Sequence, residues 1–278
     1  MSLRRIGRRR DKAVSPAIST VIVTGMIVGL VTIALSFASN FLVLRIAESE
    51  FNSAKQFMQT LALQIDDVAW SIGRTETARY SSRYGHVTFE TALNYTIYVK
   101  TNATQQYELF YTSTTGILCF NMPITYYSVG DNYFDLLYPS FNSGFLLDGA
   151  SAPNAKVFVV EKLSMTDGSF IRVVVMPAVR MVNLTIGDTN YVRLYLPILS
   201  VGETPKRSQS VTMTGDSISK LGESITALKV EVSFPLKSEG FDSTFFDFSP
   251  SEESISFANE TVLELYVGEV DVGLGVHA

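Results

Sequence analysis

A hydrolytic triad in this chain would have to be built on His86. His86 and His277 are the only histidines, and His277 is the penultimate residue. No Gly-x-Ser-x-Gly nucleophile elbow accompanies His86. An imidazole at the head of a strand-like run reads as a surface residue. General acid–base work needs two carboxylates facing one gap. The pairs Asp66-Asp67 and Glu252-Glu253 are neighbours in sequence, and neighbours on a helix point apart. Asp131, Asp188 and Asp216 each follow a glycine in a turn-like context. A calcium loop needs a series of ligands at regular spacing, and none surrounds these aspartates. Cys119 is the sole cysteine, set in the apolar run Ile117-Leu118-Cys119-Phe120. It permits neither an intrachain disulfide nor a thiolate metal cluster and reads as a small buried hydrophobe. There is no Walker-type loop, dinucleotide fingerprint or HExxH. The inventory points away from an enzyme and implies no cofactor and no metal.

The chemistry the chain does offer is modification. Four sequons occur, at Asn94, Asn102, Asn183 and Asn259, each with threonine two residues on. Asn94 stands inside a strand-like run, where its side chain competes with packing. Aromatic residues are frequent, including Tyr126, Tyr127, Tyr133, Phe134, Tyr138, Phe141, Phe241, Phe245, Phe246 and Phe248. Exposed rings would form a sugar platform. Core and interface packing is the better account, because aromatics carry much of the burial in both.

These residues must be placed by three segments of contrasting composition. Residues 1–13 hold Arg4, Arg5, Arg8, Arg9, Arg10 and Lys12 against the single acid Asp11, a net +5. The whole chain carries −5, so the remainder carries −5 − 5 = −10. An acidic remainder provides no footprint for nucleic acid. From Ala13 to Leu44 no residue is charged, a run of 44 − 13 + 1 = 32 positions. A bilayer crossing needs about 20 apolar residues in a helix. The basic block before the run places the N-terminus in the cytoplasm and the residues beyond Leu44 outside. Ser15-Pro16 reads as an N-cap with proline at the first helical position. Within the run, Asn40 and the Gly25–Gly29 pair are the features that helix–helix contact would use.

Beyond Leu44 the pattern becomes amphipathic. Phe51, Ala54, Met58, Leu61, Ile65, Val68 and Ile72 follow alternating steps of three and four, a heptad seam. Gly73 supplies a C-cap. The seam suits packing against the chain's own remainder or against neighbouring subunits, and the sequence leaves both open. From Arg74 onward strand-like segments dominate: 86–100, 106–111, 156–163, 170–177, 191–197, 229–235 and 261–270. Asp216–Leu228 places Ile218, Leu221, Ile225 and Leu228 at helical spacing and predicts one short helix, weakened by Gly222. The expected class is α+β. It comprises a basic leader over 1–13 and a long helix over 14–73, with a membrane span at 14–44 and a heptad extension at 45–73. An all-β, sandwich-like head covers 74–278.

The junction Lys12-Ala13-Val14-Ser15-Pro16-Ala17-Ile18, followed by the long apolar helix, resembles the class III signal peptide of archaeal type IV pilins and archaellin-like proteins. The resemblance covers roughly residues 8–45. It implies cleavage between Ala13 and Val14 by a prepilin peptidase, with the helix kept on the mature chain. It further implies assembly with an ATPase and a membrane platform protein into a homo-oligomeric or mixed surface filament. The inner half of the helix would enter the filament core and the outer half would seat the head. Localisation would pass from the cell membrane to a cell-surface filament, with adhesion and glycosylation borne by the head. Bacterial pilins usually carry glutamate at the fifth mature position, where this chain has Ile18. A membrane-anchored extracellular protein that binds a sugar or peptide without polymerising is the alternative. A surface hydrolase resting on His86 is the residual one.

Overall fold

A computed structural model of the chain describes residues 16–102, 106–130, 132–140, 144–163, 168–202, 209–234, 245–246 and 251–274. The chain divides between Ile46 and Ala47 into two units, and one helix, α1 (Pro16–Val68), runs through the division.

In the first unit, the side chains from Ile18 to Ile46 are exposed almost without exception. They include Val21, Met26, Leu30, Leu35, Phe37 and Phe41. This helix is long and apolar enough to cross a membrane. A helix apolar on every side has no polar face to give to water, so lipid or other apolar helices are its proper solvent. The leader residues Lys12, Ala13, Val14 and Ser15 lie outside the described residues, and α1 begins at Pro16.

In the second unit the remainder of α1 is followed, among the described residues, by eleven strands. They are β1 (Thr75–Arg79), β2 (His86–Lys100), β3 (Glu108–Pro123), β4 (Tyr133–Tyr138), β5 (Leu146–Asp148) and β6 (Ala155–Glu161). Then come β7 (Phe170–Pro177), β8 (Val179–Ile186), β9 (Thr189–Val201), β10 (Ser210–Ser233) and β11 (Glu252–Leu274). They form one hydrogen-bonded sheet in the order β4-β6-β7-β3-β2-β10-β11-β9-β8-β5, with β1 also on β10. Most neighbours are antiparallel, but β11 runs parallel to β9 and β5 parallel to β8. Gly187, at φ +62°, opens a two-residue turn that closes β8 onto β9, with Ile186 opposite Thr189.

The period-2 alternation of the strands serves two apolar clusters. On β3, β6 and β7, Ile117, Cys119, Phe158, Val160, Val174 and Met176 face one cluster, shared with β2, β9, β10 and β11. Leu118, Phe120, Val157, Val159, Val173 and Val175 face the other. Burial on both faces explains why β6 and β7 read as near-continuous apolar runs rather than alternating ones. The second cluster is closed by α1, whose Phe51, Ala54, Met58, Leu61, Ile65 and Val68 are all buried in it. The heptad seam is therefore covered by the chain's own sheet. Cys119 is buried.

Several sequence expectations are corrected here. α1 ends at Val68, so Ile72 lies past the helix and is 68% exposed rather than part of the seam. Gly73 does adopt φ +77°, but its N–H donates to the Gly215 carbonyl on β10 and joins the turn to the sheet. Gly215 and Gly268 make this junction possible. A Cβ on Gly215 would meet the Val68 and Ser71 carbonyl oxygens, and one on Gly268 would meet that of Ala69. The helix expected over Asp216–Leu228 is absent, and the segment belongs to β10. Pairing with β11 supplies its backbone partners, while Ile218 and Leu221 remain 38% exposed. The strand expected over 106–111 is the start of the longer β3.

Candidate functional site

Where they are described, the residues that could have supported catalysis are dispersed, and most of them are engaged in structure. His86 is exposed at the start of β2, edge-on to Phe170. Asp66 on α1 accepts from Trp70 Nε1, Asn154 Nδ2 and Arg180 Nη1, tying the helix to the strands beneath it. Asp67 pairs with Arg74 at the surface. Glu252 pairs with Lys229, whereas Glu253 accepts the backbone N–H groups of Phe145 and Leu146. Asp188 and Asp216 are exposed, and Asp131 and His277 lie outside the described residues. Among the described residues no three His, Cys, Asp or Glu side chains gather as a metal site would require. Arg193 and Lys220 converge on Glu264 at 2.7 and 2.6 Å and hold its carboxyl below the usual range. This cluster lies on the sheet surface beside the stacked rings of Tyr195 and Tyr266.

The aromatics considered as a sugar platform are packed, where they are described. Tyr127 contacts Phe51 on α1, Tyr126 contacts Tyr84, Phe134 contacts Phe158, and Phe245 and Phe246 are buried. Phe141, Phe241 and Phe248 lie outside the described residues.

The sequons divide by environment. Asn94 is half-buried on β2, and its Oδ1 accepts from Thr114 on the adjoining β3. Asn102 is exposed just after β2, and its Thr104 lies outside the described residues. Asn183 on β8 and Asn259 on β11 are both exposed. These last two, remote in sequence, line one open cleft of about 490 Å³.

Three segments build that cleft. β8 and β9 contribute the hairpin pairs Asn183–Val192, Leu184–Tyr191 and Thr185–Asn190. The parallel pairing of β11 with β9 starts at Thr261 opposite Asn190 and brings the third segment alongside. There β11 leaves its register. Ser256 faces Ala227 and Thr261 faces Ile225, so Phe257–Glu260 stand opposite Thr226 alone. A bulge of this kind bends the strand and re-aims its side chains. Thr261 Oγ1 donates to the Asn259 carbonyl and fixes the excursion, while Thr185 Oγ1 donates to Asn190 Oδ1 on the opposite wall. The only sequence signals of this place are the two sequons, and nothing in their spacing joins them.

No family model, curated protein or solved structure matches the chain. The functional reading therefore rests on its own residues.

Proposed function

We propose that the chain is a pilin-like structural subunit of an archaeal type IV pilus-like surface filament, without enzymatic activity of its own. The observation that carries this reading is the uncharged helix that starts directly after the basic leader and the Lys12-Ala13-Val14-Ser15-Pro16 junction. In the precursor that helix would lie in the membrane, leader inside and head outside. Cleavage after Ala13 would remove the charges that hold the N-terminus at the cytoplasmic interface. The apolar helices would then exchange lipid for one another in a filament core, driven through assembly by the ATPase and platform protein. The head would form the filament surface, with adhesion and glycans as its contribution. We read the head as sandwich-like, because β3, β6 and β7 share an apolar cluster with β9, which is not their hydrogen-bonded neighbour.

One observation favours the anchored, non-polymerising binding protein as a second reading. The seam from Phe51 to Val68 is filled by the chain's own sheet, so it offers no apolar stripe for neighbouring subunits. Assembly would then depend on residues 16–46 and on the head surface.

Mass spectrometry of the N-terminus of the chain, isolated from its native membrane or sheared surface fraction, tests the proposal. A mature chain starting at Val14 is expected. A chain starting at Met1 or Ser2 overturns filament assembly by this route and leaves an anchored surface protein.

A further inference from the structure

We infer that the cleft between the β8–β9 hairpin and the β11 bulge is a binding site for a neutral saccharide. The inference does not rest on filament assembly and holds equally for an anchored monomer. Three carboxamides, those of Asn183, Asn190 and Asn259, meet in the cleft with the hydroxyl of Thr185, and among the described residues no charged side chain lines it. A carboxamide presents both a donor and an acceptor, as a sugar hydroxyl does, so the two can pair reciprocally without an ionic group. Tyr191 on one wall and Phe257 on the other add aromatic surface. The apolar C–H face of a pyranose covers such a ring. Phe257 also packs against the core beneath, which gives that wall a fixed position. The volume, about 490 Å³, lies within the range of small-ligand sites. An anionic ligand would find no cation among these lining residues, and a purely apolar one would strip water from the amides without replacing their hydrogen bonds.

The saccharide can come from two sources: a glycan attached to Asn183 or Asn259 that folds back into the cleft, or a separate glycan. The experiment separates them. The full chain is produced in a host without N-glycosylation and held in a detergent with no sugar headgroup. Saturation-transfer NMR is then recorded with maltose, lactose and chitobiose, with sialyllactose as the charged comparison. The unmodified chain is expected to bind at least one neutral disaccharide and to bind it better than sialyllactose. Tyr191→Ala and Phe257→Ala are expected to weaken binding at least tenfold, while Tyr98→Ala, outside the cleft, leaves it unchanged. Asn190→Asp serves where a ring deletion disturbs folding, because it places a charge in the cleft and retains the side-chain shape; it too is expected to weaken binding tenfold. Absence of binding by the unmodified chain, or equal binding by all variants, overturns the inference. Glycopeptide analysis of the native protein assigns the source. A glycan at Asn183 or Asn259 that blocks added disaccharide until it is enzymatically removed identifies the attached sugar. Bare asparagines with the same binding identify a separate one.

Discussion

Ser82 Oγ donates to the Glu50 carboxylate at 2.8 Å and itself accepts the Gly85 N–H at 2.8 Å. The same Glu50 oxygen accepts the N–H groups of Arg83 and Tyr84 at 2.9 and 3.2 Å. One carboxylate on α1 thus holds Ser82, Arg83 and Tyr84 of the segment that connects β1 and β2. Glu161, buried on β6, does likewise for Ser128, Val129 and Gly130. Loops that lack a ladder partner are held here by acids placed on regular elements, which is the work that otherwise unassigned carboxylates perform in this fold.

Replacing Glu50 with Gln keeps the shape and removes the charge. Thermal unfolding of the full chain in detergent is expected to show a loss of about 1–2 kcal/mol, the difference between charge-assisted and neutral hydrogen bonds at such a site. Amide exchange at Arg83 and Tyr84 should accelerate more than exchange in β6. An unchanged exchange rate at those two amides would refute the clamp.

The glycine floor under the end of α1 gives a second expectation. Gly215→Ala sets a Cβ about 2.5 Å from two backbone carbonyl oxygens, and backbone cannot rotate away as a side-chain tip does. Gly268→Ala crowds the neighbouring Ala69 carbonyl. Each is expected to cost about 1–3 kcal/mol by denaturant titration. The double variant should cost less than the sum, because both push the same turn. Gly222→Ala, with only an ordinary contact nearby, is the comparison that should stay near neutral.

Lys156 supplies a pH dependence. Its side chain is buried and its Nζ donates to the Gly144 carbonyl; burial pulls its pKa from 10.5 down to about 8, against the opposing pull of Glu253. Between pH 8 and 10 the unfolded chain therefore retains a proton that the folded chain has released. Stability from this group rises with pH across that window, by up to about 1.4 kcal/mol per pH unit. Below pH 8 both states are protonated and the full burial penalty persists. Measured against Lys156→Met, the parent should gain stability from pH 8 to 10. Parallel stability curves for the two would contradict the assignment.

The sequons should not be used equally. Asn94 lies in β2 between β3 and β10, with its carboxamide bonded to Thr114, so its backbone cannot turn out to meet a transferase once folded. Glycopeptide analysis is expected to find Asn94 bare, and modification to fall on Asn102, Asn183 and Asn259. A glycan at Asn94 would mean that transfer precedes folding.

The sequence is legible wherever local pattern decides the structure. The bounds of β2 follow from alternation and those of β7 from a short apolar run, each between flanking turns, and the apolar helix follows from its missing charges. Asp216–Leu228 misleads because four apolar residues at helical spacing also occur in a strand, and β11, contributed from much later in the chain, settles the matter. The cleft is hidden for the same reason. Residues 183–192 and 255–261 meet only through the parallel pairing of β9 and β11, and the bulge that shapes the far wall has no glycine or proline to announce it.

β11 is the last strand among the described residues yet stands in the middle of the sheet, between β10 and β9. A polypeptide emerging N-terminus first would hold the sheet as two hydrogen-bonded parts until it arrives: β4-β6-β7-β3-β2-β10 with β1, and the trio β9-β8-β5. Its parallel junction with β9 joins residues 261 − 190 = 71 positions apart, a long loop to close before any contact repays it. Loss of residues 252–274 would not trim this protein; it would cut its sheet in two and leave raw edges on both pieces. Completion of the sheet therefore depends on one late event, the insertion of a single keystone strand.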